Sequence, residues 1–334
     1  MTGRSWISRL LGADFMGPLA ALLVIIAIIA VTTPSFRQVK NFENVSLQVA
    51  VLAIVAIGST VVILAGGIDL SPGSMIAFLT MCLAVFAKQL GLSLWIAIPL
   101  TLLLGAGLGA INGGLVAYLR IPAFIATLAT LSMFKGLSLT INGGSPIFQL
   151  SPELRSLFYG KLFGVVPLPF VYVIVLYAFF YVLLEHSKTG REIYAIGGNE
   201  SAAKLSGIPV SRVRFLTFVI AGAVTAFGAI LLAARLNSGS ANYGDGVELQ
   251  AIAATVVGGA SLAGGRGRII NTLIGALIII FVQNGLNLNN IPTYMQTLTT
   301  GAIILIAVGL DIWGRTIRTR ISAASRRSAA KTAA

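Results

Sequence analysis

SKTGREIYAIGGNESAAKLSGIPVSRVR, residues 187–214, is a charged, glycine-punctuated stretch between two apolar runs at 167–184 and 215–234. If both neighbours cross a bilayer, its five basic residues (Lys188, Arg191, Lys204, Arg212 and Arg214) place it on the cytoplasmic side. It is long enough to fold into a short helix that a cytoplasmic partner could grip. Such a handle belongs to a machine of several parts rather than to a stand-alone pore.

The rest of the chain fits a membrane setting. It is 57% hydrophobic and 10% charged, with a mean hydropathy of +0.94, whereas soluble domains carry about 25% charged residues. Apolar runs recur along the whole length, so residues 1–334 read as a single transmembrane domain with no soluble domain attached. The net charge of +13 is concentrated at span ends and in the C-terminal tail. Anionic lipid and the positive-inside bias account for it, and no nucleic-acid partner is expected. One cysteine, Cys82, lies within an apolar run and excludes a disulfide framework within the chain. His186, the only histidine, sits beside Glu185 at a span end and reads as a solvated interfacial residue.

A helix needs about 20 apolar residues to cross the hydrocarbon layer. Runs that approach this length lie near 18–33, 45–65, 73–87, 94–119, 122–141, 167–184, 215–234, 248–263, 269–287 and 293–312. The fold class expected is therefore all-α and polytopic, with about ten transmembrane helices. An even count puts both termini in the cytoplasm: 1–17 as the N-terminal segment, 187–214 as an internal loop, 315–334 as a basic tail. Sixteen basic residues then fall inside and six outside, with Lys135 left within a span. The first run is preceded by Arg4 and Arg9, as a cleavable signal would be. It continues into VTTPSF without a small-x-small site, which favours a retained helix. Residues 142–166 and 235–247, rich in Gly, Ser, Asn and Pro, read as exposed outer loops, either simple connections or a docking surface.

No G-x-x-x-x-G-K-[ST] phosphate loop occurs, and the glycine-rich stretches 258–267 and 105–114 read as sites of close helix packing. Ten carboxylates and one histidine offer no catalytic constellation, so the chain is not read as an enzyme. Powered transport would need power from another subunit. The segment 65–74, AGGIDLSPGS, interrupts an apolar stretch with Gly66, Gly67, Pro72 and Gly73 and carries Asp69 at or near membrane depth. It is either a cytoplasmic turn in which Asp69 or Ser71 caps the next helix, or a broken helix lining a pathway. A faint repeat relates Thr60-Val-Val…Ala65-Gly-Gly to Thr255-Val-Val…Ala263-Gly-Gly. Uncharged polar residues inside spans, among them Asn112, Gln283 and Asn284, serve either as interhelical glue or as the lining of a path for a neutral, hydroxylated solute.

Three blocks, GGIDLSPGS at 66–74, GREIYAIGGNESAAKLSGI at 190–208 and ATVVGGASLAGGRG at 254–267, resemble the ribose/xylose/galactose-type permease subunits of bacterial ABC sugar importers. The similarity runs from about residue 40 to 313, with the blocks in the family's order. It implies a permease in the bacterial inner membrane that binds no cofactor itself. It also implies a partner ATP-binding subunit, possibly two cassettes fused in tandem, that uses ATP and Mg²⁺. The other implied partners are a periplasmic sugar-binding protein, a second permease copy forming a homodimer, and the lipid bilayer. The resemblance assigns ATPase coupling to Gly190, Arg191, Gly197, Asn199, Glu200, Ala202, Ala203 and Gly207. In many permeases this loop reads Glu-Ala-Ala-x-x-x-Gly; here Ser201 replaces the leading Glu, with Glu200 adjacent. Gly66, Gly67, Asp69, Ser71, Asn112, Gln283 and Asn284 are the candidates for the pathway or its conformational change. The alternative reading is a self-sufficient carrier driven by an ion gradient, which would need more buried acids than Asp69.

Overall fold

The computed structural model describes residues 13–164 and 166–309. Where the sequence is continuously apolar the chain is helical, since backbone groups in hydrocarbon must bond within their own segment. The helices are α1 (Ala13–Thr32), α2 (Val39–Leu64), α3 (Pro72–Ala84), α4 (Leu94–Ala117), α5 (Ala123–Thr140), α6 (Pro152–Tyr159) and α7 (Leu168–His186). Then follow α8 (Lys188–Gly198), α9 (Glu200–Leu205), α10 (Val210–Leu236), α11 (Val247–Val257), α12 (Ile269–Leu288) and α13 (Thr293–Gly309). A π-helical turn, Val85–Gln89, prolongs α3. Four two-residue strands, β1 (Ile147–Phe148), β2 (Lys161–Leu162), β3 (Val166–Pro167) and β4 (Ser238–Gly239), make two antiparallel pairs, β1 with β4 and β2 with β3.

Among the described residues seven helices are long and apolar enough to cross a membrane: α2, α3 with its π turn, α4, α5, α7, α10 and α12. Shorter apolar helices, Met16–Thr32, Val247–Val257 and Thr293–Gly309, fall on the other three apolar runs. At 1.5 Å per residue α11 rises only about 16 Å, half the hydrocarbon layer.

α2 is the axis of the bundle. Every residue from Val49 to Leu64 is buried, and α10, α11, α12 and α7 pack around it. α4, α5 and α7 are peripheral and turn Trp95, Leu103, Leu128, Met133 and Phe179 outward, as a lipid-facing surface requires. The stretch 105–114 is indeed a packing surface: Gly105, Gly109 and Gly113 of α4 lie against α10, where a Cβ on Gly105 would stand 2.7 Å from the Gly222 carbonyl oxygen. Small residues four apart let two helices approach backbone to backbone.

The structure corrects several boundaries. The run 248–263 is not one helix: α11 stops at Val257, and residues 258–268 turn through Gly259, Gly264, Gly265 and Gly267, all at positive φ. Apolar Ala and Leu within that turn hid it from a hydropathy reading. The loop 187–214 is shorter than expected, because α10 already begins at Val210. Residues 235–247 are not simply an exposed outer loop, since Ser238, Gly239, Ser240 and Ala241 are buried. Composition cannot separate a polar segment in water from one paired inside a protein. The N-terminal segment 1–17 is helical from Ala13, and residues 1–12, the end of the last run at 310–312 and the basic tail 315–334 lie outside the described residues. Thr60 and Thr255, the first residues of the two similar segments, meet: Thr60 Oγ1 lies 3.1 Å from Thr255 Oγ1 and 2.9 Å from Thr272 Oγ1, joining α2, α11 and α12 at one buried point.

Candidate functional site

The expected coupling loop is two short helices held by local caps. Ser187 Oγ accepts from the Gly190 amide (3.0 Å) to start α8. Asn199 Oδ1 accepts from the Ala202 amide (3.0 Å) to start α9, the preferred role of Ser and Asn at helix N-termini. α9 ends in a Schellman motif: the Ile208 amide donates to Ala203 O and the Gly207 amide to Lys204 O, both at 3.1 Å, with Gly207 at φ 79. Gly190 sits against the carbonyls of Leu183 and Leu184 at the end of α7. Ile193, Ile196 and Ala203 face the bundle, while Arg191, Ala202 and Leu205 face outward, Leu205 being 90% exposed.

Glu200 pairs with Arg214 at the start of α10 (2.7 Å). That guanidinium hydrogen bond holds the Glu200 carboxyl below its ordinary value. The Tyr194 phenol donates to Gly267 O (2.8 Å), and burial pushes its pKa up to about 12, so it remains a donor at physiological pH.

The last residues of α8 meet two other parts of the chain backbone on backbone. Gly197 lies against the Leu64 carbonyl at the end of α2 and against Gly265. A Cβ on Gly197 would overlap Leu64 O and stand 2.5 Å from the Gly265 nitrogen. The Gly265 amide donates to Leu64 O (2.9 Å). Gly264, at φ 88, presents its Cα side to Gly66 and Gly197, where a Cβ would lie 2.9 Å and 3.0 Å from their Cα atoms. Three segments distant in sequence, 64–66, 197–198 and 264–265, therefore share one joint where Gly66, Gly197, Gly264 and Gly265 meet backbone on backbone. Sequence reading named Gly66 and Gly197 but assigned 258–267 to helix packing. The dense GGRG was the available signal, since glycine runs also mark backbone turns. Leu205 and Tyr194 were missed as well.

From this joint the chain after α2 is irregular as far as Ser71. The Leu70 amide donates to Thr127 Oγ1 of α5 (3.0 Å), whose single proton has Ala123 O at 2.8 Å and Ile68 O at 3.2 Å as acceptors. Asp69 Oδ1 accepts from the Ser71 amide (2.9 Å) and hydroxyl (2.6 Å), and Asn112 Nδ2 of α4 donates to Ser71 Oγ (2.8 Å). Neither Asp69 nor Ser71 caps α3, which begins without a side-chain cap. α2 itself ends in a turn, the Gly66 amide donating to Ile63 O (2.9 Å) and the Gly67 amide to Val62 O (3.0 Å), and the Asp69, Ser71 and Asn112 side chains are buried. Gln283 and Asn284 lie elsewhere. Asn284 forms a reciprocal amide pair with Asn41 (2.9 and 3.0 Å), and Gln283 reaches Thr300 (3.5 Å). Gly66 and Gly67 also border a cavity of about 840 Å³, shared with Arg120, Glu200, Lys204 and Arg214.

Comparison with known proteins follows this geometry. The family model described as branched-chain amino acid transport system / permease component matches residues 41–308. A ribose import permease protein from Escherichia coli strain K12 is 42% identical over 297 residues, covering 88% of this chain and 92% of its own length. Its namesake in Bacillus subtilis strain 168 is 42% identical over 297 residues, covering 89% and 92%. The L-arabinose transport system permease protein of Escherichia coli strain K12 is 37% identical over 309 residues, 92% of each chain. No solved structure matches the chain significantly.

Proposed function

Since the chain belongs to the branched-chain amino acid transport system / permease component family, we propose that it passes a monosaccharide or similar small polyol inward as the membrane subunit of an ABC importer. It is a multi-pass protein of the inner membrane and a transport component rather than an enzyme. The relatives' names supply the sugar class: ribose and arabinose. A periplasmic sugar-binding protein delivers the solute, and an ATP-binding subunit hydrolyses ATP with Mg²⁺.

In the finer reading, ten spans cross the membrane with both termini in the cytoplasm, α1, α11 and α13 taking the three shorter passages. The end of the bundle carrying Arg120, Lys188, Arg191, Lys204, Arg212, Arg214, Arg266 and Arg268 then faces the cytoplasm. α8 and α9 form the coupling element, and two copies of the chain stand over two ATP sites, separate or fused in tandem. Gly190 and Gly207 fix the ends of the two helices, while Asn199 and Glu200 hold α9 in place. Leu205, Ala202 and Arg191 offer an outward face to the ATPase. The 187–209 connection is the moving part of a domain that otherwise extends over 1–334.

The observation that carries this reading is the seat of Gly197 against Leu64 and Gly265. A rigid displacement of α8 and α9 by the ATPase reaches the broken segment after α2 and the turn after α11 without passing through a flexible side chain. Gly66, Gly67, Asp69 and Ser71 then belong to the conformational change, with Asn112 as their anchor on α4. Gln283 and Asn284 serve packing between α12 and its neighbours.

The test is purification from native membranes in mild detergent, with the accompanying chains identified by mass spectrometry. A Walker-motif ATPase is the expected companion. A chain that stays alone in several detergents, while control importers hold together, would remove the coupling assignment and bring an ion-driven carrier forward.

A further inference from the structure

The segment between α10 and α11 re-enters the bundle instead of crossing its end. β4 (Ser238–Gly239) pairs with β1 (Ile147–Phe148), and Gly239 lies against Thr80 and Ala84 of α3. Gly244 lies against Gly73 and Ile76, and the Glu248 carboxylate lies against Gly73, in the first turn of α3. The segment thus descends along α3 by about seven residues, on the order of 10 Å. α11 begins from that depth, which is why it needs only eleven residues to finish the passage.

Lys135 of α5 holds this segment. Its Nζ donates to Ala241 O and to Asp245 Oδ1, each at 2.7 Å. Lys135 lies about 18 Å from the start of α5 and about 7 Å short of its end, inside a helix long and apolar enough to cross a membrane. The pair is nevertheless open: the side chains are 29% and 65% exposed, and Asn242 beside them is exposed too. Irregular backbone and ionised side chains at such depth are tolerated only where they line a water-filled space or meet protein, never against lipid tails. Two of the three ammonium protons are used within the chain, which leaves one donor for a solute.

We propose that Lys135 and Asp245 form a hydroxyl-recognising contact for the solute on its way through the membrane. The carboxylate accepts from neighbouring hydroxyls of a sugar and the ammonium donates to a hydroxyl oxygen, while the second copy of the chain screens this face from lipid. The proposal rests on the sugar-permease reading above. It adds to the pathway two residues that lie apart from Asp69, Asn112, Gln283 and Asn284.

Two measurements test it. Single cysteines replace Asn242, Asp245 and, as a lipid-facing control, Leu128, in a Cys82→Ser background. Intact membranes are then treated with a charged, membrane-impermeant thiol reagent. Cysteines at 242 and 245 are expected to react at least tenfold faster than the one at 128; equal inertness at all three would overturn the proposal. The second measurement is D-ribose uptake by proteoliposomes holding the permease with its ATPase and binding protein. Asp245→Asn keeps the Lys135–Ala241 bond and is expected to cut uptake at least tenfold while the ATPase still co-purifies. Uptake within twofold of the unaltered importer would overturn it. If the unaltered importer assembles but moves no D-ribose, ribose is not its solute, and the thiol result alone decides for or against the site.

Discussion

The joint at Gly197 and the re-entrant segment at Asp245 are both irregular stretches set into a helical bundle, and they are built oppositely. At the joint Gly66, Gly197, Gly264 and Gly265 meet backbone on backbone, and Leu64 O bonds directly to the Gly265 amide. At the re-entrant segment Gly239 and Gly244 also touch the backbone of α3, but towards α5 a long, charged side chain spans to the segment, and its ion pair remains open. The first arrangement has no slack and suits the passing on of a displacement. The second has polar atoms to spare and suits a solute that comes and goes. Irregularity in this bundle therefore suits mechanics where backbones alone meet, and recognition where an open ion pair is added.

The contrast breaks most readily at the joint. Gly197→Val forces a branched side chain into the Leu64 carbonyl and the Gly265 amide, and overpacking of this kind costs about 3 kcal/mol or more. Thermal denaturation in detergent should show that loss, and reconstituted importers carrying the change should move no sugar. Normal uptake by this variant would mean that the joint has room, and the contrast would collapse.

Ala203→Glu comes next. It places a carboxylate at a position 4% exposed, between α9 and the bundle, where an unpaired charge is strongly disfavoured. α9 should lift from its seat, and co-purification of the ATPase should fall at least tenfold. Retention of the ATPase by both this variant and Gly207→Asp would remove α9 from the coupling element.

The re-entrant side should respond the other way round. Asp245→Asn breaks a solvent-accessible ion pair, worth about 1 kcal/mol at most, so its melting temperature should stay near the parent's even as uptake drops. A large loss of stability would show that the pair is a brace rather than a contact for solute.

Thr60→Val removes the hydroxyl that joins Thr255 and Thr272 and should cost about 1 kcal/mol, read as a small shift in melting temperature with α2, α11 and α12 still assembled.

Glu200→Gln is the mildest change. Its pair with Arg214 is half exposed and screened by water, so its loss should cost less than about 1 kcal/mol. Because the folded carboxyl titrates below its ordinary value of 4.5, the pair's contribution is complete above that pH and is lost as pH falls through the lower folded value. The variant and parent should therefore differ at pH 7 and converge towards pH 4 and below. A difference that grows on acidification would reverse the assignment.

Most helices could be read from sequence because burial in lipid demands long apolar runs, and α2, α4, α7, α10 and α12 were visible for that reason. The end of α9 was legible through Gly207, which terminates it, whereas the cap at Asn199 was seen only in the structure. α11 was overextended because Ala260, Leu262 and Ala263 are as apolar in a turn as in a helix. Residues 237–246 were placed outside because Ser, Asn and Gly look alike whether they meet water or a neighbouring strand. Lys135 stood out as a charge stranded within a span, yet its partner Asp245 sits 110 positions away, and only the fold brings them together.

The shortness of α11 has a consequence for how the chain enters its membrane. Eleven residues are too few to partition into lipid unaided, and the polar stretch before them resists burial on its own. As the chain leaves the ribosome, this region has no stable place in the bilayer until α12 follows and α3 and α5 are there to receive it. Its insertion is a folding step, completed against protein rather than lipid. A nascent chain halted near Val257 would keep that stretch at the membrane surface, within reach of quality-control proteases.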